Sequence, residues 1–167
     1  LYLPSGENRT LRIYDLANLA AVVERGAVSL GAESFGTAVK IGAFVYVTAG
    51  ANLRVVDVSD PAHPAVVGTV PANGYLKGRH GRLFALGTGS LNVYAYSLAN
   101  PLNPVVESSA AVPNPAPSTY LDLGPLALPM AAWVGDYLVG MTYGSAGQYH
   151  GVRALDFRVT LPLPPIP

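Results

Sequence analysis

The chain has no cysteine, which excludes disulfides, thiolate metal ligands and thiol nucleophiles while leaving the compartment open. Charge is scarce as well: 12% of the 167 residues are charged, and ten acidic and ten basic side chains cancel to zero. Because they are scattered singly, there is no electrostatic footprint for nucleic acid and no basic face for a membrane surface. Long hydrophobic runs are also missing. The apolar stretches are short and broken by Gly or Pro, so none spans a bilayer as a helix. What remains is a chain that is 50% hydrophobic with 18 Gly and 15 Pro, enough to bury a sizeable core in one compact body and to punctuate it with turns. It begins at Leu1, which fits either a removed export signal or a fragment.

The stretch 53–64, LRVVDVSDPAHP, sets the pattern for the rest. An apolar run ends in an Asp-led turn closed by two prolines, so a strand stops sharply at Ser59-Asp60-Pro61. LRIYDLANL at 11–19, LNVYAYSLANPLNP at 91–104 and VRALDF at 152–157 repeat it, partly eroded. The first three copies are spaced at roughly forty residues, a period that marks a repeat architecture.

In chain order, LYLPSG at 1–6 and LRIYDL at 11–16 predict a hairpin, and AVVERGAVSL at 21–30 a further strand with a central Gly. The next unit carries four strand-like runs, TAVKIG at 37–42, FVYVTAG at 44–50, LRVVDVS at 53–59 and AVVGTVP at 65–71. Gly42-Ala43 between two of them, with Gly81-Arg82 and Gly135-Asp136 as its counterparts, predicts a two-residue type II′ loop with positive φ at Gly. The units fall at about 1–36, 37–74, 75–112 and 130–161, and the first lacks an innermost strand. PNPAPSTYLDLGPLALP at 113–129 is an insertion loop, since its prolines forbid a central strand, and 162–167 is an extended Pro-rich tail.

VVDV, FVYV, AVVG and YLVG do not alternate apolar with polar residues, so both faces of each sheet must be covered. Radially stacked blades of four antiparallel strands achieve this, giving an all-β propeller of about four repeats that completes a larger ring or closes on itself. A β-sandwich of hairpins is the runner-up, but it has no reason to repeat near forty residues. Here the residues carry a resemblance. FVYVTAGANLRVVDVSDPAHPAVVGTV at 44–70 resembles an LVIVD repeat, a β-propeller module of mostly bacterial and archaeal exported or cell-surface proteins. The resemblance is close over 37–71, fair over 1–30 and 75–106, and weak over 131–160, where Asp156 is not followed by Ser-Asp-Pro; in the third unit Ala95 stands for the strand Asp. It implies propeller blades displayed outside the cytoplasm and no defined reaction.

Candidate chemistry is sparse. Asp15, Asp57 and Asp156 hold one position of the repeat, either as a ring of carboxylates for a cation or as acceptors for backbone N–H groups of the following turn. Recurrence favours the second, because a scaffold role repeats per blade and a site rarely does. Arg12, Arg54 and Arg153 also recur, with Asn92 in the third copy, and leave the opposite face to lie along a neighbouring strand or to hold a carboxylate. His63 sits in a proline-flanked turn, whereas His80 and His150 precede glycines near strand ends. Two histidines fall short of the three or four ligands a metal requires.

Lys77, Arg79 and Arg82 form the basic cluster, and Tyr143 and Tyr149 flank a Gly-rich loop suited to an aromatic contact surface. No GxSxG elbow, paired carboxylates or phosphate loop is present, and no cofactor is implied. The expectation is a non-catalytic propeller scaffold that binds a protein partner or another copy of itself. A propeller hydrolase with a cation held by His80, His150 and repeated Asp residues is the alternative, followed by a carbohydrate-binding module that stacks sugars on Tyr and Trp133.

Overall fold

The computed structural model describes residues 1–32, 34–72, 74–79, 81–86, 92–111, 132–134, 137–143 and 149–156. Fourteen strands and no helix occur among them. β1 (Tyr2–Ser5), β2 (Thr10–Asp15) and β3 (Val23–Ser29) form the first sheet, and β4 (Ser34–Ile41), β5 (Phe44–Ala49), β6 (Asn52–Asp57) and β7 (Ala65–Pro71) the second. The third holds β8 (Tyr75–Arg79), β9 (Arg82–Leu86), β10 (Asn92–Ser97) and β11 (Val105–Ala111); the fourth holds β12 (Ala132–Val134), β13 (Tyr137–Tyr143) and β14 (Tyr149–Asp156). Every pairing is antiparallel between consecutive strands, so each sheet is a meander, and the chain is a succession of propeller blades. Among the described residues the first blade has three strands and no counterpart of the innermost strands β4 and β8. The 113–129 and 162–167 segments lie outside the described residues.

The unalternating strands are covered on both faces. Val45, Val47 and Val56 pack with Leu11, Ile13 and Leu30 of the first blade, while Tyr46, Leu53 and Val55 pack with Leu76, Leu83, Ala85 and Tyr96 of the third. Val45 to Val47 are therefore 0% exposed without a break, the arrangement that a strand between two blades requires. The buried Thr48 hydroxyl donates to the Gly74 carbonyl at 2.9 Å, which removes the cost of burying it.

Register corrects the alignment read from the sequence. Arg79 pairs with Arg82 as Ile41 pairs with Phe44, so Arg82 opens β9 and does not belong to the loop, against the Gly81-Arg82 expectation. Gly42 takes the first loop position with φ 58°, whereas Gly81, with φ 71°, takes the second. The counterpart Gly135-Asp136 lies outside the described residues. The same register aligns Ser97, not Ala95, with Asp57, because Ser97 opposes Val105 as Asp57 opposes Ala65. Tyr94 rather than Asn92 then stands where the second blade has Arg54.

The blades are locked by a contact that depends on glycine. β3, β7 and β11 each carry a one-residue bulge at the same place, with Arg25, Val67 and Glu107 as the extra residues. The residues that follow are Gly26, Gly68 and Ser108. A Cβ at Gly26 would run into the carbonyl oxygen of Pro61, and one at Gly68 into that of Leu102. The Asp60-Pro61 turn of the second blade and the Asn100-Pro101 turn of the third thus each sit directly on the outer strand of the blade before. Tyr46 adds a second tie, its hydroxyl donating to the Pro101 carbonyl at 3.1 Å in the next blade's turn.

Replacing Gly68 by Ala should destabilise the protein by about 1–3 kcal/mol, the usual range for overpacking a closed contact. Gly42→Ala is the control: nothing lies within 4 Å of a Cβ there, so its cost comes from backbone strain alone. Urea unfolding of the variants, together with amide shifts of the 100–104 turn, checks this: only Gly68→Ala should move the turn.

Candidate functional site

The recurring polar residues sit where strands end. Asp57 Oδ1 accepts the Ser59 N–H at 2.8 Å, and Asp15 Oδ1 accepts the Ala17 N–H at 2.9 Å. In the third blade the shorter Ser97 Oγ takes the Ala99 N–H at 3.4 Å. A second tier follows in each turn: Asn18, Asp60 and Asn100 accept the N–H two residues on, at 3.0, 2.9 and 3.1 Å. Their carbonyls also receive the N–H three residues on, each at 3.1 Å, so three turns of different sequence share one hydrogen-bond plan.

Asp15 in addition holds the bulge residue Arg25, with Nη2 2.8 Å from Oδ2. Asp156 ends β14 opposite Tyr137, as Asp57 ends β6 opposite Phe44. The Asp15 and Asp57 carboxylates are each taken up by their own turn, and among the described residues no group of three or more His, Asp or Glu side chains is placed to hold a metal.

The arginines lie along their neighbours. Arg12 Nη1 is 3.1 Å from Glu24 Oε2 on β3, and Arg54 Nη1 donates to Thr69 Oγ1 on β7 at 2.7 Å. Arg54 Nε is buried without a hydrogen-bond partner, so this guanidinium is held partly by packing between the first two blades. Arg153 lies on β14 opposite Gly140.

The basic cluster divides between two strands. Lys77 and Arg79 share one face of β8, and burial pushes the Lys77 ammonium below the ordinary lysine value. Arg82 begins β9 and reaches Glu107 on β11 at 3.7 Å, a partly shielded ion pair. Tyr143 and Tyr149 are paired across the β13–β14 hairpin, with His150 next to Tyr149. His80 lies outside the described residues. His63 is exposed in its turn, its Nδ1 2.7 Å from Asp60 Oδ2.

Residues 38–71, which make up most of the second blade, match the model of the LVIVD repeat and are similar to it. No curated protein matches the chain. Among the solved structures that do match is a functionally unknown protein from Desulfotomaculum acetoxidans, at 16% identity and a TM-score of 0.52. The match covers 89% of this chain and 51% of that one, so the chain spans about half the length of that structure. At this identity the likeness is one of fold. Among the described residues, no helix is long and apolar enough to cross a membrane.

Asp15 and Asp57 titrate below the ordinary aspartate value chiefly because backbone N–H groups of the turns bind their ionised form, while Asp60 is lowered first by His63 and then by the Ala62 N–H. A lowered folded-state pKa stabilises the fold above the unfolded value, and that contribution is lost as pH falls through the folded one. Urea midpoints should therefore drop as pH falls below about 4, the ordinary aspartate range. Asp57→Asn should start lower at neutral pH and show a shallower drop on acidification.

Proposed function

We propose that this chain is a non-catalytic β-propeller scaffold, exported or surface-exposed, that works through protein contacts as part of a larger assembly. The observation that carries this reading is the uncovered face of the first blade. Leu3 pairs with Arg12 as Val47 pairs with Arg54, and Leu1 exchanges hydrogen bonds with Tyr14 where Val45 pairs with Val56. Yet Leu1 and Leu3 are 55% and 48% exposed, whereas Val45 and Val47 are 0% exposed because the first blade covers them. A face that the repeat elsewhere buries favours association with a further sheet.

Placement outside the cytoplasm rests on the LVIVD resemblance. The absence of an assembled set of nucleophile, base and oxyanion donors among the described residues is the reason for choosing a binding role over hydrolysis.

The test is the native mass by light scattering over a range of concentrations. The reading predicts a particle larger than one 17.3 kDa chain and a shift to the single-chain mass in Leu3→Asp. A wild type that stays at the single-chain mass throughout would count against assembly through this face.

A further inference from the structure

We propose that the bare face of the first blade is covered by the fourth blade of a second copy, so that chains join front to back through the same junction that joins blades within one chain. This rests on the scaffold reading above and names its partner.

Two sets of residues recur at matched register. The set that meets the preceding blade is Val45, Val47 and Val56 in the second blade and Leu83, Ala85 and Tyr96 in the third. The set that meets the following blade is Tyr2, Leu11 and Ile13 in the first blade and Tyr46, Leu53 and Val55 in the second. At both junctions one set packs against the other, which defines what each face of a blade requires of its neighbour.

One set of each kind is left over. At the front, Leu1, Leu3 and Tyr14 hold the positions of Val45, Val47 and Val56. Leu16 follows Asp15 as Val58 follows Asp57, yet it is 39% exposed where Val58 is 4% exposed. The turn beyond it, held by Asn18, has the hydrogen-bond plan of the two turns that are seated on glycine. Face and turn at this end are therefore both built to meet a preceding blade. The Arg12–Glu24 pair on the face is no obstacle, because Arg54, at the position of Arg12, is accommodated in the junction between the first two blades.

At the back, Tyr137 opposes Asp156 as Phe44 opposes Asp57, so Val139, Val152 and Ala154 hold the positions of Tyr46, Leu53 and Val55. All three are apolar, and among the described residues no later sheet follows them. Leu1 and Leu3 are about half exposed in the single chain, so the front is left for another molecule. A second copy carries the missing half of the junction. Because front and back are different surfaces, the contact is heterologous, with the first blade of one copy against the fourth of the other.

The test is complementation between two blocked variants, read as native mass by light scattering. Leu3→Asp blocks the front and Val139→Lys the back, since each buries an unpaired charge in the junction. Ala154→Lys is a second back variant, and a wild-type far-ultraviolet circular dichroism spectrum verifies the fold of each. The wild type should assemble beyond one chain, and each variant alone should fall to the single-chain mass. An equimolar mixture of the front and back variants should rise to the mass of two chains and stop there, because each partner keeps one intact end. The proposal is overturned, and the assembly reading kept, if Leu3→Asp dissociates the particle while neither back variant does, or if the mixture stays at the single-chain mass. A wild type that is a single chain at every concentration, or one whose mass Leu3→Asp leaves unchanged, overturns both.

Discussion

The seating of the Asp60-Pro61 and Asn100-Pro101 turns on the outer strands of the preceding blades is the constraint on which the remaining features depend. A carbonyl oxygen can press against another strand only if the residue beneath it has no Cβ, which explains Gly26 under Pro61 and Gly68 under Leu102. The bulge beside each glycine bends the edge strand and spoils it as a template for further pairing. The side-chain caps at Asp57, Asp60, Asn18 and Asn100 hold the turns in the shape that fits the seat. Apolar burial supplies the adhesion between blades, and the turn-on-glycine contact sets their register.

Much of the fold was legible in local chemistry. β-Branched runs ending at Ser59-Asp60-Pro61 could hardly be anything but strands that stop, and the unbroken FVYV run required cover on both faces, which Val45, Tyr46 and Val47 receive from two different blades. Legibility failed where the decisive partner lies in another repeat. Gly26 and Gly68 read as ordinary strand glycines, because the carbonyls that demand them come from the next unit. Matching LNVYAYS to LRVVDVS from their first residues shifted the third unit by two, so Ala95 looked like a lost Asp although Ser97 makes the equivalent bond to the Ala99 N–H. A hydroxyl can replace a carboxylate in a turn that needs only one acceptor, and spelling alone does not reveal the exchange.

The candidate sites show the same division. Lys77, Arg79 and Arg82 were found because they are close in sequence, yet the fold divides them, with Lys77 and Arg79 on β8 and Arg82 on β9 reaching Glu107. Function is less legible than fold in this chain for a physical reason. Among the described residues the few polar side chains are largely committed to turns and to neighbouring strands, which leaves the bare face of the first blade as the surface on which the proposed association rests.

The most direct test of the turn-on-glycine account is native-state hydrogen exchange in Gly68→Ala compared with wild type. If the seat couples the blades, the mutation should lower protection together in β5 and β6 of the second blade and in β9 and β10 of the third, by a similar factor. Loss of protection confined to β7, with β9 and β10 unchanged, would contradict the account.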